Sequence, residues 1–472
     1  MLLPLTEFLG MQNLVSPSPV LRRCAMPTSI LPIVTDLIRD AARPLTGSFD
    51  DYDSLLELIG DARYVLLGEA SHGTHEFYRE RARITQRLIR ERGFSAVAVE
   101  ADWPDAYRVN RYVQGDDTDP DAVQAMSGFK RFPAWMWRNA DVLDFVGWLR
   151  THNDSLERTK RVGFYGLDLY SLHASIAQVL RYLDEIDPAA AHRARLRYSC
   201  FDNFGSDPQA YGYAASLGLR ASCENEAVSQ LVDLQRGSLR YSRMDGLAAL
   251  ERFFDAEQNG RVVKDAEEYY RSMFRGAASS WNLRDQHMTE TFEALVEHLE
   301  CADSPAKVVI WAHNSHVGDA RATQMGQLGE WNIGQLIRTR HSKDCRNIGF
   351  TTYSGTVTAA SDWDSPAERK RVQPARPDSY EGLFHQARIP AFSLCLTPRS
   401  RVADALTEPM LERAIGVVYR PQSELASHYF QATLSEQFDA IIHIDETRAV
   451  EPLEQRAEQL SDEPAETFPS GV

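Results

Sequence analysis

Short apolar runs without alternation recur along the chain, and this pattern limits the fold more than any other feature. Successive apolar residues predict strands that are buried on both faces, as in parallel sheets covered by helices. Amphipathic helical patterns separate several runs, for example at residues 75–93. The sequence therefore predicts an α/β fold with a mainly parallel central sheet flanked by helices. The runs are RYVLLG (63–68), SAVAVE (95–100), RVGFYGLD (161–168), KVVIWAH (307–313), NIGFTTYSG (347–355), IPAFSLCL (389–396), AIGVVY (414–419) and DAIIHI (439–444).

One connection between predicted strands is far longer than a crossover requires. A crossover between parallel strands needs about a dozen residues, whereas the third and fourth runs are separated by the whole of residues 169–306. This segment has helical periodicity and no convincing strand. We expect an inserted helical subdomain that forms one wall of a cleft. The expected units are residues 1–28 as a flexible N-terminal tail, 29–168 and 306–450 as the two parts of the α/β core, 169–305 as the helical subdomain and 451–472 as a disordered acidic tail.

The composition of the chain excludes several classes of protein. It has 51 Lys and Arg against 67 Asp and Glu, a formal charge of −16, whereas phosphate binding needs a basic surface. We therefore expect no nucleic acid and no membrane as partners. No run of about eighteen apolar residues is present that would span a membrane. The six cysteines contain no CxxC pair and predict no disulfide framework, which favours reduced thiols in a cytoplasmic protein.

Acids and imidazoles follow several of the predicted strands. Glu69 and His72 follow the first run, Glu100 ends the second, and His313 and His316 follow the fourth. Ligands of open parallel sheets bind at the carboxyl ends of the strands. Because buried ionisable groups are costly unless they are paired or used, we expect these five side chains to face one another at one edge of the sheet.

Arg81 is a sixth candidate, because it lies within the apolar stripe of a helix. Phe77, Ile84 and Leu88 define that stripe at 100° per residue, and most other charged residues of the helix fall outside it. A buried guanidinium needs an anion, which the strand-end carboxylates or a substrate oxyanion could supply. A structural bridge to a carboxylate and a role in the site are compatible.

Four further residues are candidates for contact with a substrate. Asp168 ends the third predicted strand. Trp135 and Trp137 belong to the aromatic segment 128–139, which could line a pocket for a bulky apolar substrate or pack in the core. Arg321 lies just past the paired histidines, where it could orient His316 or cap the next helix.

The site chemistry is consistent with three kinds of protein. No GxSxG, HExxH or GxxxxGK[ST] pattern is present. The histidines and acids suit a hydrolase in which a histidine activates water. They also suit a metal-dependent hydrolase that holds Zn²⁺, Mn²⁺ or Fe²⁺. The third possibility is a non-catalytic protein that binds a small ligand. The metal ligands would be Glu69, His72, Glu100, His313 and His316.

Several stretches together resemble the erythromycin esterase family. They are GEASHGTHEFYRER, VAVEADW, GFYGLDLYSL, WAHNSHVGDARATQMG and the closing FDAIIHIDETRAVEPL, in this order within residues 29–453. The joint motif GExxH…VE…AHNxH carries the resemblance. It implies an α/β core beside a helical region that forms one wall of a cleft. It also implies hydrolysis of the lactone ester of macrolides, and some members of the family are called succinoglycan biosynthesis proteins.

The resemblance also implies roles for individual residues. His72 matches the proposed general base, and His313 and His316 match the family's paired histidines. Glu69 and Glu100 match its two essential acids, and Arg81 matches its essential arginine. We therefore expect a cytoplasmic esterase that inactivates a macrolide-type antibiotic by lactone hydrolysis and so confers macrolide resistance. It needs no cofactor, with a divalent metal as the alternative, and the sequence fixes no oligomeric state.

In the expected mechanism, His72 removes a proton from water, and Glu69 or Glu100 stabilises the resulting imidazolium. His313 or His316 donates to the oxyanion or protonates the leaving alkoxide. Arg81 keeps the carboxylates ionised or faces the developing negative charge. No acyl-enzyme is required.

Overall fold

The computed structural model describes residues 31–116, 118–202, 207–241, 247–274, 277–300 and 305–454. The tail expected at residues 1–28, and residues 455–472 of the expected acidic tail, lie outside the described residues. The strands are β1 (Arg43–Pro44), β2 (Tyr64–Leu67), β3 (Ala96–Asp102), β4 (Gly163–Asp168), β5 (Val308–Trp311), β6 (Cys345–Ala359), β7 (Glu368–Val372), β8 (Ala391–Cys395), β9 (Met410–Arg413), β10 (Tyr429–Ala432) and β11 (Ala440–Thr447).

The α-helices in the same part of the chain are α1 (Leu31–Ala41), α2 (Asp53–Ile59), α3 (His75–Arg92), α4 (Trp103–Val113), α5 (Ala122–Ala125), α6 (Ala140–Asp154), α7 (Leu172–Ile186), α8 (Pro188–Tyr198), α9 (Pro208–Ser216), α10 (Glu224–Tyr241), α11 (Leu247–Ser272), α12 (Ala277–Glu300), α13 (Asn314–Val317), α14 (Gln324–Gln327), α15 (Ile333–His341), α16 (Tyr380–His385), α17 (Arg401–Ala405), α18 (Glu424–Ser427) and α19 (Leu434–Gln437). No helix among the described residues is both long enough and apolar enough to cross a membrane.

The central sheet is mainly parallel, as predicted. Within the described residues, nine strands form one sheet in the order β1-β8-β11-β6-β2-β5-β3-β4, with β7 paired to β6. The strands from β11 to β4 in this order are parallel to one another, whereas β1, β7 and β8 pair antiparallel. The parallel strands therefore direct their carboxyl ends to one edge of the sheet, where the candidate residues were expected.

Alternate residues of the central strands enter two separate apolar layers. In β2, Val65 and Leu67 belong to the layer that contains α3, whereas Tyr64 and Leu66 belong to the layer that contains α12. All four side chains are fully buried. This burial on both faces explains why the strands appear in the sequence as continuous apolar runs.

One predicted strand is wrong. The run AIGVVY (414–419) forms no ladder and makes only isolated bridges, from Ile415 to Ser71 and from Val418 to Ala360. Ile415 and Tyr419 pack in a small apolar cluster with Val357. The run is thus apolar because it covers the sheet, and the strand of this region is the preceding β9, which pairs with β10.

The described residues between β4 and β5 form helices and contain no strand. Helices α7 to α11 contribute to an apolar cluster of their own, which includes Leu183 and Val263. Helix α12 differs, because its Met288, Phe292 and Leu295 pack against the sheet. The expected helical insert is therefore present, while its boundaries at 169 and 305 stay a prediction.

Two cysteines of the helical insert depart from the sequence-based expectation. Cys200 and Cys223 form a disulfide, with 6.0 Å between their Cα atoms. The expectation of reduced cysteines is wrong for this pair, because the fold brings together two thiols that lie 23 residues apart in the sequence. Cys345 and Cys395 are free thiols.

Candidate functional site

The first part of the site is built where β2 ends. The chain leaves the strand at Gly68, where a Cβ atom would lie 2.1 Å from the side-chain oxygen of Asn314, so only glycine fits this close approach. Glu69 follows and is 1% exposed. Its Oε1 lies 2.9 Å from Nδ1 of His72. Because an ionised carboxylate only accepts hydrogen bonds, Nδ1 carries the proton and the neutral ring has its lone pair on Nε2.

Helix α3 supplies the cation that balances Glu69. Arg81 is completely buried, as predicted from its place in the apolar stripe, and its Nη2 donates to Oε2 of Glu69 at 2.7 Å. The guanidinium also lies over the rings of Tyr78 and Trp311, at 4.4 and 5.2 Å from their centroids. Tyr78 in turn donates to the backbone carbonyl of His72 at 2.6 Å. Arg81 and Tyr78 thus hold both Glu69 and the backbone of His72 in place.

The second histidine lies where β5 ends and caps α13. Nδ1 of His313 accepts the backbone N–H of Ser315 at 3.3 Å and lies 2.8 Å from that residue's hydroxyl. The neutral ring therefore carries its proton on Nε2, which is buried. Burial and the nearby His72 lower the pKa of His313 well below its ordinary value, although Glu100 and the Ala70 carbonyl act in the opposite direction.

The rings of His72 and His313 are neighbours, with centroids 4.7 Å apart. Their hydrogen bonds place opposite groups on the two Nε2 atoms, an acceptor on His72 and a donor on His313. A base and a hydrogen-bond donor on neighbouring rings can remove a proton from water and stabilise a carbonyl oxygen that gains charge.

Glu100 lies behind this pair near the end of β3. Its Oε2 accepts the backbone N–H of His313 at 2.8 Å, and its Oε1 accepts Nη2 of Arg284 at 2.8 Å. Burial favours the protonated form of Glu100, but His316, Arg284 and His72 together hold its pKa well below the usual range. Glu100 is therefore an ionised carboxylate that fixes the backbone of His313.

Helix α12 brings two charged residues that the sequence analysis missed. Arg284 holds both oxygens of Asp168, through Nε at 3.0 Å and Nη2 at 2.5 Å, in addition to Glu100. Asp285 accepts Nδ1 of His316 at 2.9 Å and the backbone N–H of Ile333 at 2.8 Å. Both charged residues are buried.

His316 is enclosed by this network. Its Nε2 lies 3.1 Å from Nη1 of Arg284 and 3.4 Å from Oε1 of Glu100, and its ring stacks on Trp281 with centroids 4.4 Å apart. Burial lowers the pKa of His316, but Asp285 and Glu100 outweigh it and raise this pKa above the ordinary value. Burial raises the pKa of Asp285 more than the facing His316 lowers it.

A signal in the sequence could have revealed Arg284. It precedes Met288, Phe292 and Leu295 at helical spacing, so it continues a buried stripe just as Arg81 does. The contact with the sheet edge depends on how the insert docks, which the spacing of residues does not show. By contrast, the six residues expected at the site lie together: Glu69, His72, Arg81, Glu100, His313 and His316.

The four candidates for substrate contact lie elsewhere or are engaged. Trp135 is 1% exposed within the apolar core. Trp137 is also buried and donates from Nε1 to the Glu100 carbonyl at 3.0 Å. The exposed Arg321 binds Asp319, and both oxygens of Asp168 are taken by Arg284. Their contact with substrate stays a prediction.

The donor set fits a metal ion poorly. No three His, Cys, Asp or Glu side chains in the described part of the chain are grouped so that they could hold one ion. The oxygens of Glu69 and Glu100 already accept hydrogen bonds from Arg81 and Arg284. A divalent cation bound to these carboxylates would lie close to two guanidinium charges, which would repel it.

A family model described as Erythromycin esterase matches residues 89–447. Glu100, His313 and His316 lie within the matched segment, whereas Glu69, His72 and Arg81 precede it. The chain is 23% identical to erythromycin esterase type II of Escherichia coli over 322 residues, which cover 66% of this chain and 74% of that protein.

Other relatives are similar over more of their length. The putative hydrolase YbfO of Bacillus subtilis (strain 168) is 21% identical, with 86% of this chain and 89% of that protein covered. The crystal structure of a succinoglycan biosynthesis protein has a TM-score of 0.71 at 20% identity, covering 90% of this chain and 99% of that chain. An erythromycin esterase mutant in its open conformation has a TM-score of 0.58 at 18% identity, and the match covers 86% of this chain and 96% of that chain. These two structures have the same fold as this chain.

Proposed function

Because the chain belongs to the erythromycin esterase family, we propose that it is a carboxylic ester hydrolase that opens an ester or lactone bond of a macrolide-type small molecule with histidine-activated water. The resemblance predicted from the sequence motifs is thereby confirmed at the level of the family. Membership of this family supports an esterase or hydrolase activity. The substrate and the mechanism are our proposal.

The observation that carries the proposal is the pairing of His72 and His313. The acceptor Nε2 of His72 removes a proton from water, whose oxygen attacks the ester carbonyl carbon. The N–H at Nε2 of His313 donates to the carbonyl oxygen as it becomes an oxyanion. His313 suits this role because its low pKa keeps the ring neutral, so that Nε2 carries the proton and acts as a donor.

The carboxylates support the charge that develops on His72. When His72 becomes an imidazolium, Glu69 at 2.9 Å stabilises it, as the acid of a catalytic triad does. Arg81 keeps Glu69 oriented. The tetrahedral intermediate then collapses, the C–O bond to the alcohol breaks, and the imidazolium returns its proton to the leaving alkoxide. No acyl-enzyme and no cofactor are needed.

The proposal is tested with the purified protein and a panel of esters and lactones, including a 14-membered macrolide lactone. Reactions run in ¹⁸O-labelled water with and without EDTA, and mass spectrometry detects the product. We expect a product that has gained one labelled water, formed equally in both conditions. Loss of turnover with EDTA and its recovery with a divalent ion would favour the metal-dependent alternative. Binding of these compounds without any hydrolysis would refute the esterase and favour a ligand-binding protein.

A further inference from the structure

Helix α12 reaches the site with one short stretch of one face. Trp281, Arg284 and Asp285 are spaced i, i+3 and i+4, so they share this face. All three contact His316, through its ring, its Nε2 and its Nδ1 respectively. One turn further, Met288 is fully buried against the sheet. The helix therefore docks on the sheet by its apolar part and enters the site by its charged part.

Arg284 joins two strand ends that would otherwise repel each other. Asp168 ends β4 and Glu100 lies near the end of β3, and both carboxylates are buried. The guanidinium binds both oxygens of Asp168 and one of Glu100. The other oxygen of Glu100 accepts the backbone N–H of His313. Arg284 therefore holds the proposed oxyanion donor, His313, in place through Glu100.

His316 is engaged at both nitrogens by groups of the protein. Asp285 takes the proton of Nδ1. A neutral ring accepts from Arg284 at Nε2, and a protonated ring donates from Nε2 to Glu100. In both forms the hydrogen bonds stay within the network, and Trp281 covers the ring.

We propose that Arg284 and Asp285 are positioning residues of the hydrolytic site. They act through Glu100 and His316 to hold His313, so the site is complete only while the helical subdomain is docked on the sheet. His316 is then a positioning residue too, rather than a group that exchanges protons with substrate. This inference deepens the proposed hydrolase function and rests on it.

The first test is steady-state kinetics on whichever ester of the panel is turned over. Arg284→Met and Asp285→Asn should each lower kcat about 10- to 100-fold, as loss of a residue that orients a functional group does, with KM nearly unchanged. Arg284→Lys should lie between wild type and Arg284→Met, because an ammonium restores the charge but not the planar fork. Glu293→Gln is the matched control, since Glu293 lies on the same helix and pairs with His341 away from the site.

A purely structural role would give a different result. The variants would then show a lower folded fraction by circular dichroism, and kcat per folded molecule would stay at the wild-type value. That result would overturn the proposal. Variants that fold fully and keep the wild-type kcat would overturn it as well.

The second test needs no substrate and therefore separates this inference from the proposed function. In protein labelled with ¹⁵N-histidine, the His316 Nδ1–H that donates to Asp285 should give a downfield proton resonance. The signal is assigned by its loss in His316→Gln. We expect Asp285→Asn to shift or abolish it and Glu293→Gln to leave it unchanged. A resonance that is unaltered in Asp285→Asn would refute the positioning of His316 by Asp285, whether or not an ester is hydrolysed.

Discussion

Replacement of Arg81 by methionine should destabilise the fold far more than the same change at Arg87, although both arginines lie on α3. Arg81 is completely buried, and its partner Glu69 is 1% exposed. Removal of one partner from such a pair leaves a buried charge without its counterion. This loss lowers the free energy of unfolding by about 3–5 kcal/mol. Arg87 binds Glu91 and Asp53, whose side chains are 45% and 61% exposed, and each pair of this kind contributes about 0.2–1 kcal/mol to the free energy of unfolding.

A second substitution should restore most of the stability but none of the activity. In Arg81→Met combined with Glu69→Gln, neither charge of this pair remains, and replacement of both partners of a buried pair is often close to neutral in stability. The two changes should therefore be strongly non-additive. Hydrolysis should stay low in the double variant, because a neutral amide at position 69 stabilises the imidazolium of His72 less than a carboxylate does.

The measurement is urea unfolding of the wild type, the two single variants, the double variant and Arg87→Met, at one pH and salt concentration. The free energies follow from the midpoints and slopes of the transitions. A cost below about 1 kcal/mol for Arg81→Met would refute the buried ion pair. Additive costs in the double variant would refute the coupling between Arg81 and Glu69.

Three other predictions concern separate parts of the molecule. Burial and Glu381 raise the pKa of Glu412 well above its usual value, so the folded state holds a proton that the unfolded state releases. Stability should then fall as the pH rises above 4.5, and Glu412→Gln should raise the Tm more at about pH 8 than at about pH 5. A Tm difference independent of pH would contradict this prediction. Reduction of the Cys200–Cys223 disulfide should lower the unfolding free energy by about 2–4 kcal/mol, measured in urea with and without reductant. Trp137→Phe removes the N–H donated to the Glu100 carbonyl and should lower the free energy of unfolding by about 0.5–3 kcal/mol. Urea unfolding measures this loss, and an unchanged free energy would contradict the hydrogen bond.

The parts of this fold that the sequence predicts are those governed by local pattern. Parallel strands buried on both faces produce continuous apolar runs, so the core of the sheet was predictable. The rule that ligands bind at the carboxyl ends of the strands located Glu69, Glu100 and His313 together. The helical stripe located Arg81, because a charge among buried positions is visible at a spacing of 3.6 residues.

The parts that were not predicted depend on how distant segments pack. Arg284 and Asp285 reach the site from an inserted helix, and no local spacing shows where that helix docks. The run at 414–419 has the composition of a strand, but it covers the sheet without joining it. The thiols of Cys200 and Cys223 meet only after the surrounding helices have packed.

The central claim is that His72 activates water, and the most direct test compares His72→Ala with His75→Ala on the best ester of the panel. His75 begins α3, pairs with Asp141 and has a more exposed side chain, so it is a matched control for loss of an imidazole. We predict that His72→Ala loses about 10²- to 10⁴-fold in kcat while it remains folded, as expected for loss of a general base, and that His75→Ala keeps its activity. Wild-type kcat in a folded His72→Ala protein would contradict the account.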